Sequence, residues 1–326
     1  MRSRWLTLLI IAIAVVPLFQ VKGRAADTDV PGRIAFVRDG GIWVWENGET
    51  TRLLEQEGVS DARWSPDGQA LLFVESGNSY SDLALLNAQT GVPTLITNNQ
   101  SDFEIGSLDY TRGSFWALDP SWSASGTIGY VSDESDEPGA GALFALWLMD
   151  GPDESSAYPA PLLAVEDSID SVSLSGDGTV AAYVLREPDF DTGISDISVW
   201  LRDLATGETF LAAQSGGEAF DPAISPDGQS IAVAIREAGG KTDVWLVDRA
   251  TLDRKRVTRE AEALAPAWSS DGDWLTYLKL EDYQFEVWVA PVSDGDAGEP
   301  FKLFSAKGLD SRSGLSWFVA PEPAAD

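Results

Sequence analysis

The sequence predicts an all-β chain of six four-stranded antiparallel sheets set in a closed ring, and three observations predict it. A corner motif, sharpest at Trp64-Ser65-Pro66-Asp67-Gly68, returns as Trp122-Ser123-Ala124-Ser125-Gly126, Leu174-Ser175-Gly176-Asp177-Gly178, Ile224-Ser225-Pro226-Asp227-Gly228 and Trp268-Ser269-Ser270-Asp271-Gly272. Each copy is followed by an apolar run of strand length and then by a segment that opens on a large side chain. The chain also begins on a lone second strand and ends on a lone first strand. Copies spaced by about fifty residues indicate stacked repeats rather than separate domains.

Each corner has the chemistry of a tight turn. Pro66 and Pro226 preset φ at its second position, Ser65, Asp67, Ser225 and Asp227 can bond the local backbone, and Gly68 and Gly228 tolerate positive φ. The runs that follow, such as Ala70-Leu71-Leu72-Phe73-Val74 and Ser230-Ile231-Ala232-Val233-Ala234, are strand-like, so each unit opens as a hairpin. A third strand aligns on Trp43, Trp147, Trp200, Trp245 and Trp288, with Ala84 in the same place in the second unit. One ring per repeat at a fixed position predicts a packed seam between sheets. A fourth, edge-like strand is expected at residues 51–54, 93–96, 161–164, 209–212, 254–257 and 300–303.

Arg33-Ile34-Ala35-Phe36-Val37 matches a second strand with no first strand before it. Gly314-Leu315-Ser316-Trp317-Phe318-Val319 matches a first strand with no second after it, since Pro321 and Pro323 follow. Joined, they complete a sixth sheet and leave no free edge at the seam. The ring is therefore expected over residues 32–319, with 320–326 a disordered tail.

The Ser-Pro-Asp-Gly corner, the apolar strand after it and the Trp-x-x-Asp third strand together resemble the WD40-like repeat of TolB and of the propeller domains of prolyl oligopeptidase-type peptidases. The resemblance implies a six-bladed β-propeller, and through TolB an exported module that holds another protein on a propeller face. TolB carries an α/β domain ahead of its propeller, whereas here a few residues separate the N-terminal apolar segment from the first strand. The peptidases add a hydrolase domain with Ser, Asp and His, and this chain has no His.

Composition narrows the chemistry. The chain has neither Cys nor His, which excludes disulfides, thiolate nucleophiles, His-based triads and the usual zinc sets, and leaves carboxylates and oxygen-ligand metals. A formal charge of −30 argues against nucleic acid and anionic lipid as partners of the folded part. Arg2 and Arg4, the apolar stretch 5–19 and the small residues near Ala26 predict a signal peptide over 1–25, with an uncleaved membrane anchor at 5–19 as the alternative. The expected location is periplasmic or extracellular.

Antiparallel blades place the corners and the third-to-fourth turns on one face and the remaining connections on the other. On that second face lie the long connections: residues 98–119, 133–142, 186–195 and 280–285. They carry Phe103, Tyr110, Phe115, Trp116, Phe190 and Tyr283 among many acids, which is the composition of an interface. Two acidic groups, with Asp133 and Asp136 in one and Asp189 and Asp191 in the other, are candidates for calcium, though neither completes a calcium-loop pattern. No other cofactor is expected.

The leading expectation is a protein-binding scaffold, a monomeric propeller or a subunit of a larger complex, rather than an enzyme. The alternatives are a carboxylate-dependent glycoside hydrolase or lyase, which needs two carboxyls about 5–10 Å apart, and a peptide- or sugar-binding sensor. No catalytic residue is singled out.

Overall fold

The computed structural model describes residues 30–134, 144–152, 168–188, 195–214, 217–259 and 261–321. These form six antiparallel sheets around an axis, a six-bladed propeller. In the closing blade the order is Leu315–Phe318, Arg33–Arg38, Gly41–Glu46 and Glu49–Glu55. Arg33 faces Phe318 and Phe36 faces Leu315, so the two chain ends share one sheet as expected.

The latch is hydrogen-bonded beyond the ladder. The Trp317 indole donates to the carbonyl of Pro31 at 2.9 Å, and the Ser270 hydroxyl both accepts from the Val319 amide at 2.9 Å and meets the Val319 carbonyl at 3.0 Å.

The second blade runs Val59–Trp64, Ala70–Ser76, Ser81–Asn87 and Pro93–Leu95. The third comprises Ala117–Trp122, Ile128–Ser132 and Ala145–Met149, and its expected outer strand at 161–164 lies outside the described residues. The fourth runs Ser168–Leu174, Val180–Pro188, Ser195–Asp203 and Thr209–Ala213. The fifth runs Glu218–Ile224, Ser230–Arg236, Thr242–Asp248 and Arg254–Arg256. In the sixth, Ala263–Trp268, Trp274–Glu281, Gln284–Ser293 and Phe301–Ser305 are joined by a small extra strand, Asp296–Ala297.

The third-strand register is the one the Trp alignment requires. Phe36 pairs with Trp43, Phe73 with Ala84, Tyr130 with Trp147, Tyr183 with Trp200, Val233 with Trp245 and Tyr277 with Trp288. Apolar side chains between sheets form the core, as in the cluster of Leu72, Val74, Leu83, Ile128 and Trp147 between the second and third blades. Only Trp147 of the aligned indoles is fully buried; the others are half-buried at the seam. Cations cover three of them: Arg38 lies over Trp43, Arg256 over Trp245 and Lys279 over Trp288.

The corners are alike in detail. Ser65 donates to Asp67 at 2.6 Å, Asp67 accepts from the Gln69 amide at 3.0 Å, and the Ala70 amide donates back to the Ser65 hydroxyl at 2.9 Å. The Ser175–Asp177 and Ser225–Asp227 corners repeat all three bonds. The Asp that ends two of the Trp-x-x-Asp strands has an equally local purpose: Asp203 accepts from the Ala205 and Thr206 amides, and Asp248 from those of Ala250 and Thr251.

One expected long connection is short. Residues 280–285 form a two-residue hairpin in which Glu281 pairs with Gln284, while Asp282 and Tyr283 hold φ of 47° and 62°. The strand pattern simply continues to the turn, because two consecutive left-handed residues reverse the chain in the sense that matches strand twist.

Candidate functional site

Two regions hold side chains that no blade requires: the central channel and the connection between the second and third blades.

The channel is built from the inner strands, five of which bulge at the same register. Pairing slips between Ser60 and Arg63, Leu118 and Ser121, Ile169 and Val172, Phe220 and Ala223, and Leu264 and Ala267. In four of these bulges the first residue is left-handed: Asp61 at φ 54°, Asp119 at 47°, Asp221 at 50° and Ala265 at 51°. Asp accepts this conformation better than most residues. The Pro that follows Asp119, Asp221 and Ala265 has no amide hydrogen to lose where the ladder breaks.

The bulges crowd carboxyls toward the axis. Asp61 is 7% exposed; its burial raises the carboxyl, against the opposing pull of Arg63, whose guanidinium lies 3.4 Å away. Arg63 also donates to the carbonyl of Ser313 at 2.8 Å, tying the second blade to the chain end. Asp119 and Asp221 are partly exposed and both line the central cavity, yet burial is the largest influence on each. It drives Asp119 well up, reinforced by the negative charge of Asp61, and pushes Asp221 up to about 6. Asp221 accepts from the Ala265 amide of the next blade at 3.0 Å.

On the inner strands, directly before Trp317, Trp122 and Leu174, Ser316, Ser121 and Ser173 accept from the Trp64, Leu174 and Ile224 amides of their neighbours, stitching blades together around the axis. A cavity of about 450 Å³ runs from Arg63, Asp119 and Asp221 to a rim of corner residues that includes Pro66, Gly176 and Pro226. It therefore reaches the tight-turn face, opposite to the long connections. The signal that could have found these groups was present in the sequence: an Asp placed three residues before the corner's large apolar residue at Asp61, Asp119 and Asp221, twice followed by Pro.

On the long-connection face the segment 98–116 is well anchored. Ser107 caps the helix Leu108–Arg112 by accepting from the Tyr110 amide, and Tyr110 itself is 1% exposed, filling the inside of the loop instead of facing a partner. Ser114 accepts from the Ser101 amide and donates to the Tyr110 carbonyl. Asp133 accepts from the Trp116 amide at 2.7 Å, so this candidate calcium ligand secures a neighbouring loop, and its burial raises the carboxyl.

Phe115 and Trp116 are half-buried, whereas Phe103 is 60% and Tyr283 is 99% exposed. Phe190, Asp136, Asp189 and Asp191 lie outside the described residues. Among the described residues no group of three or more acidic side chains is arranged to hold a metal ion, and no helix is long and apolar enough to cross a membrane.

The architecture has close counterparts among solved structures. TolB from Acinetobacter baumannii superposes with a TM-score of 0.66 at 18% identity, over 90% of this chain and 68% of that one. This is the six-bladed fold of the TolB propellers. A putative TolB from Agrobacterium tumefaciens matches at 0.60 with 16% identity, over 89% of this chain and 94% of that one. An oligogalacturonate lyase in complex with manganese matches at 0.50 with 16% identity, over 85% and 73%. No protein-family model matches the sequence. At these identities the TolB likeness is one of fold.

Proposed function

We propose that the chain is an exported, protein-binding propeller that engages a protein of the cell envelope or extracellular space through its long-connection face. The observation that carries this reading is the exposure of Phe103 and Tyr283 on that face, at 60% and 99% the two most exposed aromatics among the described residues. A TolB-like fold is compatible with such a role, and the N-terminal apolar segment supports export. In-cell crosslinking followed by mass spectrometry tests it. The parent should yield a reproducible crosslinked protein, and Phe103→Ser/Tyr283→Ser, with unchanged thermal stability, should lose it. An identical crosslink pattern for both proteins would refute the assignment to this face.

A second reading has its own support, since the channel presents raised carboxyls, Asp119 and Asp221, beside a cavity. On that reading the chain is a carboxylate-dependent lyase or hydrolase. Incubation with oligogalacturonate, followed for unsaturated products, should then show turnover that Asp119→Asn abolishes; no turnover on this substrate removes the lyase form of the reading.

A further inference from the structure

Within the long-connection face, one short segment has the makings of a docking surface. Phe103 is 60%, Ile105 63% and Leu108 63% exposed, three large apolar side chains within six residues of chain. Interleaved with them are Asp102, Glu104 and Asp109, and none of the three forms an ion pair among the described residues.

We infer that this segment docks a basic amphipathic segment of another protein, a peptide stretch that sets Lys or Arg beside apolar side chains. The inference rests on the scaffold reading above and deepens it by giving the partner's chemistry.

Three considerations select that occupant. The apolar groups cannot fold back beneath their own loop, because that space is filled by Tyr110 and closed by the Ser107 and Ser114 hydrogen bonds and by the Phe115 amide bonded to the Asn99 carbonyl. The platform is thus fixed before a partner arrives, which lowers the ordering cost of binding. The unpaired carboxylates around the apolar groups call for cations on the other side. The same carboxylates, on a chain of formal charge −30, repel both an anionic lipid surface and a second copy of this face.

The test uses the full chain and two synthetic probes, a Leu–Lys amphipathic 14-mer and its Leu–Glu counterpart, titrated calorimetrically at physiological salt. The Leu–Lys peptide should bind and the Leu–Glu peptide should not. Phe103→Ser/Ile105→Ser/Leu108→Ser leaves every charge in place, so diffuse attraction to an acidic protein would survive it; specific docking should weaken by at least about tenfold. Asp102→Asn/Glu104→Gln/Asp109→Asn should weaken binding and flatten its salt dependence.

Equal affinity of the apolar triple variant and the parent for the Leu–Lys peptide would overturn the inference. So would binding of the parent to phosphatidylglycerol vesicles, or its self-association in sedimentation, if either is lost in that variant. These outcomes are separable from failure of the scaffold reading. A crosslinked partner that persists in the apolar triple variant leaves the scaffold standing and removes this segment, whereas absence of any crosslinked partner in the parent removes the scaffold.

Discussion

Asp61 lies in the bulge of one inner strand and Asp67 in the corner that follows it, and folding pushes their carboxyls in opposite directions. Asp67 sits at the exposed corner, where the Ser65 hydroxyl and then the Gln69 amide bond its charge and hold it below the usual carboxylate range. Asp61 sits in the bulge, where burial raises it and Arg63 only partly offsets the effect. The contrast recurs around the ring, with Asp177 lowered at a corner and Asp119 and Asp221 raised in the channel. Repetition of a residue type therefore does not repeat its energetics. At Asp67 and Asp177 the anion is stabilised by donors from its own turn, whereas at Asp61, Asp119 and Asp221 burial disfavours it and carboxylates of other blades add to the effect.

If Arg63 is what keeps the channel carboxyls tolerable, its removal should be the most damaging single change. Arg63→Met preserves apolar bulk but leaves Asp61 buried without its 3.4 Å partner and frees the Ser313 carbonyl. Breaking a buried pair in this way costs about 3 kcal/mol, and melting should fall by roughly 5–10 °C for a domain of this size. Adding Asp61→Asn should recover much of the loss, because the uncompensated charge is then gone. Thermal denaturation of the single and double variants at pH 7 decides it; a double variant no better than the single would show that Arg63 acts through packing.

Asp221 tests the raised side of the comparison with the opposite sign. Its carboxyl titrates at about 6 in the folded chain, against about 3.9 when unfolded. The folded state binds the proton more tightly, so this group's stabilising contribution is complete below about pH 4 and is lost as pH rises through 6. Asp221→Asn keeps an oxygen for the Ala265 amide and removes the charge. The variant should be more stable than the parent by about 1–2 kcal/mol at pH 7 and indistinguishable from it at pH 4. Urea denaturation across that range reads the difference, and a variant less stable than the parent at pH 7 would contradict the assignment.

Most of the fold was legible because its signals are local. Ser65-Pro66-Asp67-Gly68 specifies a turn whatever surrounds it, and the Trp-x-x-Asp strands carry their own register marker. Closure was legible too, since a lone second strand at Arg33 and a lone first strand at Leu315 need one another. The hairpin at Asp282 and Tyr283 was missed because its turn type depends on two left-handed residues, and Tyr is a poor indicator of that conformation. The channel was missed for a different reason. Asp61, Asp119 and Asp221 are separated by 58 and 102 residues in sequence, and only ring closure gives them a common neighbourhood. Tyr110 could not be told from Phe103 by composition, because which of two loop aromatics turns inward is decided by the hydroxyls of Ser107 and Ser114.

The smallest effect belongs to the corner, and it closes the comparison from the other side. Ser65 is buried and its hydroxyl is the acceptor for the Ala70 amide, so Ser65→Ala should cost about 1 kcal/mol. Asp67 is exposed, and Asp67→Ala should cost about half of that, since water replaces part of what is lost. Because the Asp67 carboxyl is depressed, its contribution is present above about pH 4 and disappears as pH falls through the folded value. Asp67→Ala should therefore be less stable than the parent at pH 7 and converge with it in acid, while Asp221→Asn converges from the more stable side. Parallel urea titrations of the two variants would show curves approaching the parent from below and from above. Two curves on the same side would mean that corner and channel carboxyls do not differ in the way their surroundings dictate.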